Sequence, residues 1–119
     1  MILGIGVDIV EITRVRKAME NPRFCLRVFT DGEQADLARR SPASAAGLWA
    51  AKEAIAKALG TGFCGFALQD VEILHDATGA PQAALHKGAQ ARLRHLGAAR
   101  VHVSISHSGD NAIAFAILE

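Results

Sequence analysis

Tyrosine is absent from this chain and tryptophan occurs once, so a core for 119 residues has to be built mainly from Ala, Val, Ile and Leu. A small Ala-rich domain of that kind leaves room for further burial against copies of itself. Cysteine is scarce as well. Cys25 and Cys64 stand far apart, which excludes a disulfide framework and metal-ligand spacing and fits a reducing compartment. Long apolar runs are missing: the longest, Ala112 to Leu118, falls far short of the roughly 20 residues a membrane-spanning helix needs. Met1 leads directly into Ile-Leu-Gly-Ile-Gly-Val with no basic stretch, so no signal peptide and a cytoplasmic location are expected. An excess of either charge is also missing. The net charge of +1 argues against wholesale nucleic-acid binding.

What is present reads as one domain over residues 1–119, with no repeat, linker or low-complexity segment. Ile2 to Val10 alternates as a strand, with Leu3, Ile5, Val7 and Ile9 on one face, expected to be buried, and Gly4, Gly6 and Asp8 on the other. A helix through Val15, Ala18 and Met19 stops at Asn21-Pro22, and Arg23 to Phe29 reads as a helical turn. Thr30-Asp31-Gly32-Glu33 is a capping box opening a helix that stops near Arg40. Asp70 to Leu74 and Pro81 to Leu85 read as strands about a turn, and Lys87 to Leu96 as a basic amphipathic helix ended by Gly97. Val101 to Ser106 and the segment carrying Ile113, Phe115 and Ile117 form a hairpin about Ser108-Gly109-Asp110-Asn111, those three apolar residues being expected to face inward. The order β-α-α-α-β-β-α-β-β predicts an α+β fold, a mostly antiparallel sheet packed against a long central helix.

That central helix is expected from about Pro42 to Leu59, stopped by Gly60. At about 100° per residue, Leu48, Ile55 and Leu59 share one face, while Lys52, Trp49, Glu53 and Lys57 follow one another on a different arc. Glu53 and Lys57 are spaced so that their side chains can meet, which by itself is equally the mark of a solvated surface pair. The rest of the chain supplies a second carboxylate, Asp8, near the end of the first strand. Two carboxylates with room for water and phosphate suit Mg²⁺, which keeps waters and takes one or two protein ligands. Lys52 and Lys57 are then candidate phosphate partners. His107, in Ser106-His107-Ser108, sits where a strand meets a turn and is open to two readings, a ligand contact or a hydrogen-bonded structural histidine. Arg14, Arg16, Lys17, Arg23 and Arg27 outnumber their one acidic neighbour, Glu20, and form either a docking patch for an acidic partner or a solvated face.

Three motifs together resemble the holo-acyl-carrier-protein synthase family, the small type of 4′-phosphopantetheinyl transferase. They are Gly4-Ile5-Gly6-Val7-Asp8-Ile9-Val10-Glu11-Ile12, Trp49-Ala50-Ala51-Lys52-Glu53-Ala54-Ile55-Ala56-Lys57-Ala58 with Gly60-Thr61-Gly62, and Val101-His102-Val103-Ser104-Ile105-Ser106-His107. The likeness spans essentially the whole chain. It implies transfer of the 4′-phosphopantetheine arm of coenzyme A to a serine of apo acyl carrier protein, in support of fatty acid biosynthesis, with release of adenosine 3′,5′-bisphosphate. It implies Asp8 and Glu53 as Mg²⁺ ligands and Lys57 near the pyrophosphate; on the chemistry, Glu53, directly or through a metal-bound water, is the candidate for helping remove the serine proton. Gly60, Thr61, Gly62, Ser106, His107 and Ser108 would line the coenzyme A site. Arg14, Arg23, Phe24 and Arg27 would dock the carrier, and a homotrimer would carry its sites at subunit interfaces.

Two features depart from the family pattern. Leu48 stands where the family usually carries an arginine that helps bind phosphate, and the loop after Gly62 is about one residue short. Either another base, Arg39, Arg40 or Lys52, replaces the missing 3′-phosphate contact, or coenzyme A binds more weakly. Competing readings are a transferase for a polyketide or other secondary carrier and a trimeric scaffold that has lost catalysis. The presence of Asp8, Glu53 and Lys57 together opposes the scaffold.

Overall fold

In the computed structural model, which describes residues 1–119, the chain runs β1 (Gly4–Glu11), α1 (Ile12–Ala18), α2 (Pro22–Val28), α3 (Asp31–Leu37), α4 (Ala43–Leu59), β2 (Val71–His75), β3 (Pro81–Leu85), α5 (Lys87–His95), β4 (Val101–Ser108) and β5 (Asn111–Leu118). A 3₁₀ turn over Leu68–Asp70 precedes β2. β1, β5 and β4 form an antiparallel sheet in that order, and β2 and β3 form a separate hairpin. The α+β architecture is as expected, with the strands divided between two sheets. No helix is long and apolar enough to cross a membrane.

Local chemistry sets the element ends. The Thr30 hydroxyl accepts from the Glu33 N–H at 3.1 Å, and Glu33 Oε1 accepts from the Thr30 N–H at 2.9 Å, which completes the capping box. The Asn21 side chain accepts from the Arg23 N–H at 3.0 Å with Pro22 next in line, so the expected turn is a full helix, α2. Gly60 ends α4 at φ 81°, where a residue with a Cβ is strained. Only Gly109 and Asp110 separate β4 from β5, and Ser108 pairs with Asn111 across the turn.

α4 is the centre of the core. Leu48, Ile55 and Leu59 are buried on it, as are Ala50, Ala51, Ala54 and Ala58. The strand faces that meet it are the reverse of the expectation for β1 and β5. Gly4 and Gly6 of β1, and Ala112, Ala114, Ala116 and Leu118 of β5, lie against the helix side. Ile5 is 61%, Ile9 60% and Phe115 45% exposed, and Ile113 and Ile117 share that outer face. The reason is clearance. A Cβ at Gly4 would lie 2.3 Å from the Ala58 carbonyl oxygen, and one at Gly6 would lie 2.0 Å from that of Ala54. The smooth glycine and alanine faces let a helix pack almost backbone to backbone, and isoleucines there would hold it off. β4 keeps its expected polarity: Val101, Val103 and Ile105 pack against the core.

Candidate active site

Asp8 is carried on the helix-facing side of β1, two residues beyond Gly6, and the close β1–α4 approach brings it to the side of α4 that carries Glu53 and Lys57. Lys57 Nζ is 2.9 Å from Asp8 Oδ1 and donates to the Val7 carbonyl at 3.0 Å. The expected Glu53–Lys57 pair is therefore replaced by a pair across the two elements, because the strand offers Lys57 two acceptors at once. Glu53 makes no ion pair. Burial raises its pKa above the usual carboxylate range, the charge on Asp8 raises it further, and Lys57 partly offsets both.

Asp8 and Glu53 open onto one cleft of about 630 Å³ that is also lined by Arg14, Phe24, Trp49 and Asn111. Phe24 lies 5.5 Å from Trp49 in a tilted contact that ties α2 to α4, and 6.3 Å edge-on from Phe29, centroid to centroid. Arg23 and Arg27 are exposed on the same helix, α2. The expected metal carboxylates and part of the expected docking patch thus share a wall. Trp49 and Asn111 were not singled out as lining residues from sequence, and only the first carries a signal there, its place beside Glu53 on the helix arc.

The carboxylates fit a hard divalent cation. The donor set is oxygen only, Glu53 makes no ion pair, and Asp8, though held by Lys57 through Oδ1 at 2.9 Å, keeps Oδ2 for a cation. Two ligands with open positions suit Mg²⁺, which retains waters and accepts substrate phosphate.

Lys52 does not stand with Lys57, contrary to expectation. It is fully buried, with Nζ 2.8 Å from Glu33 Oε1. On the helix it falls within about 40° of Leu48 and 20° of Leu59, which places it on the apolar side. Its pKa is lowered by burial, and the charge and hydrogen bond of Glu33 act in the opposite sense. Lys52 is consequently removed from the candidates for phosphate contact and for replacing an arginine at Leu48, which is itself fully buried.

Gly60, Thr61 and Gly62 follow α4 directly. Arg92 of α5 donates from Nε to the Leu59 carbonyl at 2.9 Å and steadies that end. Ser106, His107 and Ser108 lie elsewhere. β4 is the opposite edge strand from β1, so His107 is two inter-strand spacings from the Asp8 edge, about 10 Å. His107 is on the inner face, where its Nε2 is 3.1 Å from the Ala43 carbonyl oxygen, while Ser106 and Ser108 alternate outward. His107 lines a second cavity of about 210 Å³ with Arg40, Ser44, Gly47, His75 and Pro81. In it Arg40 Nε is 3.0 Å from Asp36, and Asp36 Oδ2 is 2.6 Å from His75 Nδ1. Although burial works the other way, the bonds from Arg40 and His75 hold the Asp36 carboxyl below its ordinary pKa. Arg39 is largely exposed beside them. One chain therefore assembles Asp8, Glu53, Lys57, Arg14 and Phe24, and leaves His107 on the far side.

The chain is similar to known proteins along its whole length. A holo-[acyl-carrier-protein] synthase from Solidesulfovibrio magneticus is 50% identical over 122 residues, covering 100% of this chain and 99% of the relative. The crystal structure of the synthase from Neisseria meningitidis superposes with a TM-score of 0.90 at 35% identity, covering 100% of this chain and 99% of that one. That of the Helicobacter pylori synthase, in complex with coenzyme A, gives 0.83 at 30% identity, covering 97% and 99%. A family profile described as the 4′-phosphopantetheinyl transferase superfamily matches residues 4–116, and this chain belongs to that family.

Proposed function

We propose that this chain is a holo-acyl-carrier-protein synthase, moving the 4′-phosphopantetheine arm of coenzyme A onto a serine of apo acyl carrier protein. The observation that carries the reading is the single cleft in which Asp8 and Glu53 stand beside Arg14 and Phe24. A cleft of that kind presents a cation-binding carboxylate pair and a basic, aromatic docking wall to the same guest.

Phosphoryl-type transfer depends on positioning and charge neutralisation more than on covalent catalysis. Asp8 and Glu53 would hold Mg²⁺, which when bound neutralises pyrophosphate charge and polarises phosphorus. Lys57, held in place by Asp8 and the Val7 carbonyl, sets a fixed positive charge next to the carboxylates. Glu53, which makes no ion pair with Lys57 and opens onto the cleft, is the base for the serine hydroxyl. The serine proton passes to Glu53 and the serine oxygen bonds to the phosphorus that carries the pantetheine arm. The bond from that phosphorus to the nucleotide phosphate breaks, and its electron pair leaves on adenosine 3′,5′-bisphosphate. Arg14, Arg23, Phe24 and Arg27 bring the carrier's serine to the cleft, with the arginines matched to acidic carrier residues.

The active form is a homotrimer. Two facts support this: Ile5, Val7, Ile9 and Phe115 leave an apolar sheet face exposed, and His107 lies across the sheet from Asp8. A shallow cavity of about 300 Å³ along Ile5, Gly6, Val7, Phe115 and Lys57 opens on that face, so a neighbouring copy seated there would adjoin Lys57. Contacts of that unlike-to-unlike kind close into rings where the rotation between copies allows it. The neighbour's Ser106–Ser108 segment and its Arg40 cavity then supply the far end of the coenzyme A site, and Arg40 stands in for the arginine missing at Leu48. Free cysteines and the lack of a membrane-crossing helix agree with work in the cytoplasm.

The deciding experiment incubates apo acyl carrier protein with coenzyme A, Mg²⁺ and this protein and weighs the carrier by mass spectrometry. A gain equal to one phosphopantetheine is expected, and no gain on any apo carrier would overturn the assignment.

A further inference from the structure

Glu33 and Lys52 form an ion pair with no solvent access, 2.8 Å apart and both side chains 0% exposed. All of its polar atoms are engaged. Lys52 Nζ also donates to the carbonyls of Leu68 at 3.0 Å and Val71 at 2.5 Å. Glu33 Oε1 accepts from the Thr30 N–H, and Oε2 accepts from the Ile73 N–H at 2.8 Å. The pair ties α3, α4 and β2 together.

Stability alone does not account for it. Taking two charges out of water costs several kcal/mol per ion, and well-packed apolar residues in their place are often as stable or more so. What a saturated ion pair adds is direction. Toward β1 and β5 the face of α4 is smooth: Ala54 and Ala58 meet Gly4 and Gly6, and Ala112, Ala114 and Ala116 complete the opposing sheet face. On that side the contact is close but carries no side-chain ridge, so the rotation of α4 is set by the groups on its other buried side, Leu48, Ile55, Leu59 and the Glu33–Lys52 pair, of which only the pair is directional. Lys52 immediately precedes Glu53, and the two project about 100° apart. Anchoring Lys52 on the core side therefore fixes where Glu53 points.

We propose that the buried Glu33–Lys52 pair is a positioning device that sets the rotation of α4 and holds Glu53 toward Asp8 across the cleft, so that the two carboxylates can share one divalent cation. The inference rests on the metal reading given above. Glu33 and Lys52 touch neither substrate nor metal, and act through Glu53.

The test uses the full-length chain and Mn²⁺ as the probe, titrated by electron paramagnetic resonance with and without coenzyme A. Glu33→Gln/Lys52→Met removes both charges while keeping side-chain length. We expect cooperative unfolding to survive, Mn²⁺ binding to weaken at least fivefold, and kcat to fall at least tenfold. The KM for carrier should change less than the Mn²⁺ affinity, because Arg14 is carried on α1 and Arg23 and Arg27 on α2, and Phe24 meets α4 through Trp49. A folded double variant with Mn²⁺ affinity and kcat within twofold of the parent would overturn the positioning role. Should that variant fail to fold, Glu33→Asp decides. It keeps both charges but shortens the reach by one methylene, and Mn²⁺ affinity unchanged in it overturns the proposal. A parent chain that binds no Mn²⁺ and transfers no arm refutes the metal reading, and this inference with it. A parent that does both while the variants match it refutes the positioning role alone.

Discussion

Replacing Gly6 with alanine tests the packing logic of the whole molecule with one methyl group. The added Cβ would lie 2.0 Å from the Ala54 carbonyl oxygen, 2.8 Å from the Ala58 nitrogen and 3.0 Å from the Ala54 carbonyl carbon. Ordinary contact begins near 3.4 Å, so β1 and α4 have to separate by more than 1 Å at this point. All three atoms are backbone, and no flexible side chain can swing aside. Overpacking in a tight core costs about 1–3 kcal/mol, occasionally more, and a rigid backbone clash belongs at the upper end. In a domain of this size, about 3 kcal/mol lowers Tm by roughly 12 °C. Because Asp8 lies two residues along on the same strand face, the separation also draws it away from Glu53 and Lys57, so transfer activity should fall at least tenfold even well below the new Tm. Thermal unfolding at fixed protein concentration and the carrier mass-gain assay read the two effects. A Gly6→Ala chain that melts within 2 °C of the parent and transfers at the parental rate would refute the close-approach argument.

The other expectations concern strain, charge, assembly and docking. Lys87 is the one non-glycine residue with positive φ, at 48°, and Lys87→Gly should raise stability by about 0.5–1 kcal/mol by chemical denaturation, since left-handed backbone costs an L-residue roughly 1–2 kcal/mol and glycine's extra chain entropy returns part of it. Glu53→Gln should abolish transfer and leave a folded protein. Because the folded-state pKa of Glu53 is raised, its favourable contribution is complete below the ordinary carboxylate value and is lost as pH rises through the raised one. The glutamine variant should therefore melt higher than the parent at neutral pH, with the difference vanishing in acid when Tm is followed against pH. Phe115→Asp, on the exposed apolar face, should give a monomer by light scattering and cost most of the transfer activity while secondary structure by circular dichroism is retained. Arg27→Glu should raise the KM for carrier at least fivefold at low salt and less at high salt, with the KM for coenzyme A unchanged, as steady-state kinetics at two ionic strengths would show.

Much of this molecule is legible in its residues because the signals are local. The Thr30–Glu33 box, the Gly60 stop, the two-residue turn at Gly109-Asp110 and the alternation of β4 each depend on neighbours within a few positions, and each stands where the sequence places it. Asp8, Glu53 and Lys57 could be picked out as candidates for the same reason, by strand end, helix arc and spacing. Three matters were out of reach of such signals. Alternation shows that β1 and β5 have two faces and cannot say which one a helix will cover. Here clearance, not hydrophobicity, turned Gly4, Gly6 and the β5 alanines to the core and left Ile5, Ile9 and Phe115 outside. The sequence reading sets Lys52 on the arc of Trp49 and Glu53, although it lies about 20° from Leu59, because a lysine is not expected in a core unless a counter-charge waits there, and Glu33 is brought in from another helix nineteen positions away. Lys57 likewise abandons its neighbour one turn back on α4 for Asp8, nearly fifty residues away, because long-range packing sets an acceptor and a carbonyl within its reach. Local free energies choose helices, caps and turns, whereas the partner of a charge and the covered face of a sheet depend on groups distant in the chain, which meet only once the backbone has closed.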